Sequence, residues 1–343
     1  MVNKNTSLSS VGHYILYALS SILIVMSLLS LLYDIPKWYL KILDFPRLQY
    51  LIVGILFIVL LLIFRRKWNK PFIFLLVGLL SVIAIQTRFL FPYIFGSVVV
   101  PQANYAEKDS VDKVSIMIAN ILIKNRTSKE LREIINKSNP DMILAMEVDA
   151  WWIEQLGFLE KKYPHSIKYP TNNAYGMALY SKLKLENSEI LFLNHSEVPA
   201  FKAKVLLESG KNFNFYGVHP VAPFPSDKYP ENIGDANGDG TQEEVALLKV
   251  GDMVAKDEKP TIVAGDFNDV AWSQTSRLFG ENGNLKDVRI GRGLHNTFNA
   301  KSWIMRWPLD HYYVSDKISV VKFKRMEDFN SDHFPMFAEF VIK

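Results

Sequence analysis

The hydrophobic pattern divides the chain in two. Three stretches near the start are apolar all round: 13–33, 48–64, and 71–87, the last continuing in apolar residues beyond Arg88. A helix crossing a bilayer needs ~20 apolar residues, with a working range of ~17–25. None of the three has a polar face, which argues against a surface-lying amphipathic helix. They predict a membrane domain over 1–103 with three transmembrane helices. A buried helical core is the rival reading, and three near-consecutive uncharged stretches weigh against it. The first stretch also lacks the basic leader and small-residue cleavage site of a secretory signal, and further spans follow it.

Residues 104–112 are polar and read as a linker. From 113 to 343 the pattern shifts to short runs typical of one large mixed domain. Strands are expected at 114–119, 141–146, 177–180, 213–218, 261–264, 311–314, 319–323 and 336–341. Helices are expected from a capping box at Thr127-Ser-Lys-Glu130 through about Asn136, over 151–163, and over 243–255. Many consecutive strands mixed with helices favour an α/β or α+β sandwich over a bundle.

Charge sharpens the division. The 343 residues carry 39 Lys+Arg, 35 Asp+Glu and a net charge of +4. Residues 1–103 hold nine of the basic residues and two of the acids, so they are +7 and the remainder is −3. The basic excess therefore belongs to the spans and their loops, and it is no argument for nucleic acid. The second loop, Arg65-Arg66-Lys67-Trp68-Asn69-Lys70, has four basic residues in six, and the first has three in fourteen. Basic loops favour the cytoplasm, which predicts that the large domain lies outside it, in a bacterial cell membrane. The composition excludes disordered, collagen-like and disulfide-stapled chains. The absence of cysteine excludes thiolate metal sites and a Cys nucleophile.

Polar residues at strand ends carry the chemistry. Asn120 and Glu147 close the first two expected strands, and His219 closes one before Pro220. Asp266 and Asn268 sit in Gly265-Asp-Phe-Asn268, and Asp310-His311 and Ser331-Asp332-His333 come near the end. At the rim of a sheet such side chains meet ligands. Hard oxygen donors from Glu147, Asn120 and a C-terminal Asp suit Mg2+ or Mn2+ rather than zinc. Asp310 with His333 makes a dyad able to deprotonate water. Asp266 and Asn268 can point into one cleft from a tight turn. Taken singly, each residue has a plainer reading: Asn120 as a turn residue, Glu147 at a helix N-terminus, His219 as a packed strand end. His311 reads as structural or as a peripheral phosphate contact, while His165, His195 and His295 lack a supporting motif. No Gly-rich phosphate loop appears, which disfavours a kinase or ATPase.

The ordered set Asn120, Glu147, His219, Gly-Asp266-Phe-Asn268, Asp310-His311 and Ser-Asp332-His333-Phe-Pro335 resembles the endonuclease/exonuclease/phosphatase superfamily. That group includes DNase-I-like nucleases, inositol-polyphosphate phosphatases and neutral sphingomyelinases. The resemblance spans roughly 111–343 and implies a four-layered α/β sandwich. It implies Glu147 as the metal ligand, with Asn120 and Asp332 close to the metal. It implies His333 as general base oriented by Asp310, and His219 on the scissile phosphate. Asp266 and Asn268 would position nucleophile and phosphate. The family's usual Gln before the metal-binding Glu is Met146 here. The expected protein is a membrane-anchored, Mg2+- or Mn2+-dependent phosphoesterase acting on a lipid headgroup or small phosphoester. A nuclease on extracytoplasmic nucleic acid is the alternative, and a non-catalytic membrane receptor or scaffold is the rival of another class. Asp235-Ala-Asn-Gly-Asp-Gly240 matches half of a calcium loop but lacks the Glu at its twelfth position, where Ala246 stands.

Overall fold

The computed structural model describes residues 4–33, 35, 37–65, 67–104, 107, 111–223 and 242–343, the side chains of 4–10 and 242–244 excepted. The half calcium loop at 235–240 lies outside the described residues. The chain forms two compact units, Met1–Pro92 and Tyr93–Lys343. The division falls earlier than the change in hydrophobic pattern suggests. Residues after Pro92 join the second unit: the Tyr93 hydroxyl donates to Ala271 O at 2.6 Å, and Val320 N donates to Pro101 O at 2.9 Å.

The first unit is helical: α1 (Lys4–Leu29), a short α2 (Trp38–Lys41), α3 (Arg47–Ile63) and α4 (Lys70–Ile94). Two segments, Val11–Leu29 and Lys70–Ile94, are long and apolar enough to cross a membrane. A third span results if Trp38–Asp44 and Arg47–Ile63, bent by 66°, count as one. Arg88 does not end α4, and Pro92 is also accommodated within it. Leu23, Tyr50, Leu61, Phe72, Leu79 and Val82 pack this unit's core. Arg47 is fully buried there, pairing with Asp44, donating to Gln86 Oε1 at 3.0 Å and lying over the Phe89 ring. Gln86 in turn donates to the Ser27 hydroxyl at 2.7 Å, so the buried charge is held by a hydrogen-bonded network.

The second unit contains two mixed sheets of six strands. The strands are β1 (Lys113–Asn120), β2 (Met142–Met146), β3 (His165–Tyr169), β4 (Met177–Ser181), β5 (Lys184–Phe192), β6 (Pro199–Leu206), β7 (Asn212–Val218), β8 (Thr261–Asp266), β9 (Lys286–Asp287), β10 (Asp310–Val314), β11 (Ile318–Arg325) and β12 (Met336–Ile342). One sheet has the order β11-β12-β1-β2-β4-β3 and the other β5-β6-β7-β8-β10-β9. Ile116, Leu144, Phe215, Ile262, Tyr312 and Phe340 belong to the core between them. Helices α5 (Lys129–Ser138) and α6 (Ala150–Gln155) cover the first sheet through Leu131, Ile134, Ile135 and Trp152. Helices α7 (Gln242–Ala255) and α8 (Gln274–Gly283) cover the second through Leu247, Val250, Val254 and Phe279.

Local chemistry explains where elements begin and end. In α5, Leu131, Ile134 and Ile135 follow the 3–4 spacing of one buried face. The expected capping box is not formed. The helix starts one residue later, with Ser128 at the N-cap and no side-chain cap. The Thr127 hydroxyl is instead taken by Asn125 Oδ1 at 2.7 Å. The helix expected over 151–163 stops at Gln155, and a 3-10 turn follows over Gly157–Leu159. Strands β3, β5, β6 and β9 and helix α8 are additional to the sequence pattern.

Asp149 caps α6, accepting the Trp152 N–H at 2.9 Å and pairing with Arg126 at 2.6 Å. Partial burial works against its charge, but the guanidinium and the N–H outweigh it and hold the carboxyl below its usual pKa. A depressed folded-state pKa gives stability that is present above the unfolded value of ~3.9 and lost as pH falls through the folded one. Asp149→Ala should therefore lower stability by about 1 kcal/mol at pH 7. Melting curves of the two proteins should converge under strongly acidic conditions, and a gap unchanged by pH would contradict the account.

Candidate active site

The sheet registers bring the chemistry to one edge. β1 runs parallel to β2, and β7 parallel to β8, so Asn120, Glu147, His219 and Asp266 all lie at C-terminal strand ends. β10 starts there in the opposite direction, with Asp310 paired to Asp266. β12 also starts there, Met336 pairing with Ile118, so the preceding Ser331-Asp332-His333 lies beside Asn120. The Ser331 hydroxyl fixes this junction by donating to Asn120 O at 2.8 Å and accepting His333 N–H at 3.1 Å.

The side chains interlock. Asn120 bridges two carboxylates with its amide, donating to Glu147 Oε1 at 3.2 Å and Asp266 Oδ2 at 3.0 Å. Glu147 Oε2 accepts Ile123 N–H at 3.1 Å. His333 Nδ1 donates to Asp310 Oδ2 at 2.8 Å, and its Nε2 lies 3.6 Å from Asp266 Oδ2. His219 Nε2 approaches the same oxygen at 3.7 Å. Asn268 accompanies them: its N–H goes to Asp266 Oδ1 at 2.8 Å and its Nδ2 to Pro220 O at 2.8 Å. Asp332 is half-buried beside His333, its carboxylate 3.4 Å from the Ser331 hydroxyl.

Backbone conformation aims several of these groups. Glu147 and Asn268 have φ of 63° and 55°, in the left-handed region that ordinary residues avoid. Gly265 precedes Asp266 with φ 150°, and a Cβ there would lie 1.9 Å from Val218 O, so only glycine fits.

Electrostatics follow from burial. Asn120, Glu147, His219, Asp266, Asp310 and His333 are each at most 3% exposed. Complete burial pushes the Asp266 carboxyl up, against the pull of His333 and His219. Burial opposes charge on His333, but Asp310 and Asp266 outweigh it and lift its pKa to about 10. Asp266, Asp310 and His333 each offer a ligand atom within 4.8 Å of the others, a spacing able to hold a metal ion. Buried carboxylates gathered at this density favour a cation. Among the described residues, Asp310 Oδ1 has no hydrogen-bond partner although buried, an acceptor suited to such an ion or to water.

His311 is structural. Its Nδ1 accepts from buried Arg289 at 2.8 Å and its Nε2 donates to Asp269 O at 3.0 Å. Burial, with the guanidinium beside it, holds it neutral. His295 accepts no role at the site and contacts Arg292 O. Three contributors went unseen in the sequence. The Thr297 hydroxyl accepts the N–H groups of Leu309 and Asp310 at 3.2 and 3.3 Å, steadying the dyad. Phe298 and Tyr175 lay their rings against His333 and His219. None of these belongs to a recognisable string, and Thr297 stands well before the residue it steadies.

Comparison with known proteins agrees with this arrangement. Residues 117–333 match the model of the Endonuclease/Exonuclease/phosphatase family, and the chain belongs to that family of metal-dependent phosphoesterases. Among solved structures it is similar to D. rerio TDP2 complexed with single strand DNA product, at 17% identity and TM-score 0.53, covering 66% of this chain and 98% of that one. It is similar to the human Nocturnin catalytic domain with bound sulfate, at 19% identity and TM-score 0.53, covering 72% and 97%. A Bacteroides vulgatus endonuclease/exonuclease/phosphatase has 17% identity and TM-score 0.55, covering 67% and 99%. At these identities the likeness establishes the fold. No curated protein matches the chain.

Met146, where the family's Gln is usual, has a defined task. Its Sδ accepts the Asp266 N–H at 3.1 Å, tying β2 of one sheet to β8 of the other. Met146→Leu removes this acceptor at nearly constant volume and leaves a buried N–H unpaired, a cost of about 1–3 kcal/mol. The melting temperature should fall accordingly. Met146→Gln supplies an amide oxygen and should recover most of the loss, and equal melting of all three proteins would refute the bond's importance.

Proposed function

We propose that this chain is a membrane-anchored, Mg2+- or Mn2+-dependent phosphoesterase that hydrolyses phosphodiester or phosphomonoester bonds with a His-activated water. The observation carrying this reading is the buried relay Asp310–His333–Asp266, with Asn120 joining Asp266 to Glu147. Asp310 fixes the His333 tautomer, leaving Nε2 directed to the site edge where water and phosphate would meet. Neutral His333 takes the proton of the attacking water, and Asp310 stabilises the imidazolium. Because Asp310 and Asp266 lift the His333 pKa to about 10, the neutral form grows as pH rises, and a cation beside those acids would offset their lift. Asp266 and Asn268 orient the nucleophile, and His219 donates to a phosphoryl oxygen as charge develops there.

We assign Glu147 and Asp332 as oxygen donors for the ion, with Asn120 close to it holding Glu147 and Asp266 through its amide N–H groups, and with Asp266 and Asp310 as the adjoining carboxylates. A bound Mg2+ or Mn2+ supplies Lewis-acid polarisation of a phosphoryl oxygen and offsets its charge. The apolar helices support an anchor in a bacterial cell membrane, and the basic second loop supports a catalytic unit outside the cytoplasm. That placement, with the −3 charge after residue 103, favours a lipid headgroup or small phosphoester as substrate. A nuclease is the second reading. It draws on the fold shared with D. rerio TDP2, whose structure holds a single-stranded DNA product.

His333→Ala and Asp266→Ala in the full chain should each lower hydrolysis of a generic phosphodiester by ~100-fold or more in protein that circular dichroism shows still folded at the assay temperature, although each lowers the melting temperature by unpairing buried groups. Chelation should abolish the wild-type rate, and Mg2+ or Mn2+ should restore it. Wild-type rates in both variants would defeat the site assignment. A panel of phospholipid headgroup diesters and DNA at two salt concentrations separates the substrate classes, because phosphate-backbone binding weakens steeply with salt.

A further inference from the structure

The segment between Thr297 and Trp307 is a tight hairpin with an apolar tip. Trp303 is 92% exposed and Ile304 75%, and Met305 beside them is also exposed. Among the described residues after Asp112, the other large apolar side chains that are exposed are Ile190 and Phe192, at 36% and 44%. Single exposed apolar side chains are ordinary, whereas three in sequence on a loop tip mark an interaction surface.

The tip is held in place before it meets anything. The Ser302 hydroxyl accepts the N–H groups of Ile304 at 3.3 Å and Met305 at 2.9 Å. Asn299 Oδ1 accepts Lys301 N–H at 2.8 Å, and Asn299 N donates to Met305 O at 3.3 Å. Arg306 donates to Ala300 O at 3.0 Å and lies over the Trp303 and Phe334 rings. The side chains are thus presented by a fixed backbone, which lowers the ordering cost of docking.

The base of the same hairpin is stitched to the candidate site. Ala300 N donates to Asp332 O at 2.8 Å, Phe334 N donates to Thr297 O at 3.0 Å, and the Phe298 ring packs on His333. The exposed tip and the His333 segment therefore form one bonded assembly.

We infer that Trp303, Ile304 and Met305 insert into the interfacial layer of an anionic lipid bilayer, with Lys301 and Arg306 at headgroup level. Tryptophan favours that layer, aliphatic side chains favour the acyl boundary, and flanking cations favour anionic lipid. Ile304 and Met305 lack the ring faces that stack nucleic-acid bases, so a bilayer fits the full triplet better than a single strand. The chain's own apolar helices are long enough to keep a bilayer within reach. Insertion would hold the Asp332–His333 edge close to lipid phosphates, whatever phosphoester is cleaved.

The chain has no cysteine, so one reporter can be placed cleanly. The full chain carrying Ile304→Cys is labelled with an environment-sensitive fluorophore and reconstituted in phosphatidylcholine vesicles containing one-third phosphatidylglycerol. Ser209→Cys, on the exposed β6–β7 turn, serves as the reference position. Insertion to ~5–10 Å should shift the Ile304→Cys label to the blue. Nitroxide-bearing lipid should quench its emission by roughly half or more while sparing Ser209→Cys. Equal quenching at both positions, or none at either, overturns the inference. So does a shift in detergent that grows with protein concentration, which assigns the tip to a second copy. A shift caused by single-stranded DNA without lipid quenching assigns it to nucleic acid and likewise overturns it.

Discussion

Burying acid is the constraint on which the rest of the second unit depends. Glu147, Asp266 and Asp310 are each at most 2% exposed and converge at one sheet edge. Each needs compensation, because an uncompensated buried carboxylate simply takes up a proton. Compensation is supplied by groups from different strands: His333 for Asp310, Asn120 for both Glu147 and Asp266, and the two histidines facing Asp266. Those contacts hold only if the two sheets keep a fixed relation. The apolar core between the sheets and the Met146–Asp266 link provide that rigidity.

Much of this was legible in the sequence because strand ends announce themselves. A buried apolar run that stops at Asn, Glu, His or Asp places a polar group at a rim, and five such stops in one order mark a candidate site. The hidden part is of two kinds. Strand β5 reads Lys-Leu-Glu-Asn-Ser-Glu-Ile-Leu-Phe and is mostly exposed, so its pattern carries little hydrophobic signal. Strand β9 has two residues, too few for any periodicity. Thr297 acts through backbone N–H groups, a task that any hydroxyl near a strand start can take up. The failed capping box has the same origin: Asn125 competes for Thr127 locally, and string matching is blind to such competition.

The helical unit refines how its charges are counted. Arg47 belongs by position to the first loop, where it raises the count of basic residues. In the structure it is buried and paired with Asp44 and Gln86. Its charge is neutralised among helices, so the first loop presents less positive charge to water than its composition suggests. The Arg65–Lys70 loop shows the opposite behaviour, since Lys67 and Lys70 remain exposed.

The junction that completes the site joins residues 211 positions apart, Ser331 and Asn120. β1, the first strand of its sheet to be made, pairs with β12, the last. Contacts of such high order are slow to form, because a long loop must close before any bond rewards it. Partial folds containing only the earlier strands would carry Glu147 and Asp266 without His333. The complete candidate site would therefore be the last feature to assemble during maturation, well after most of the secondary structure is in place.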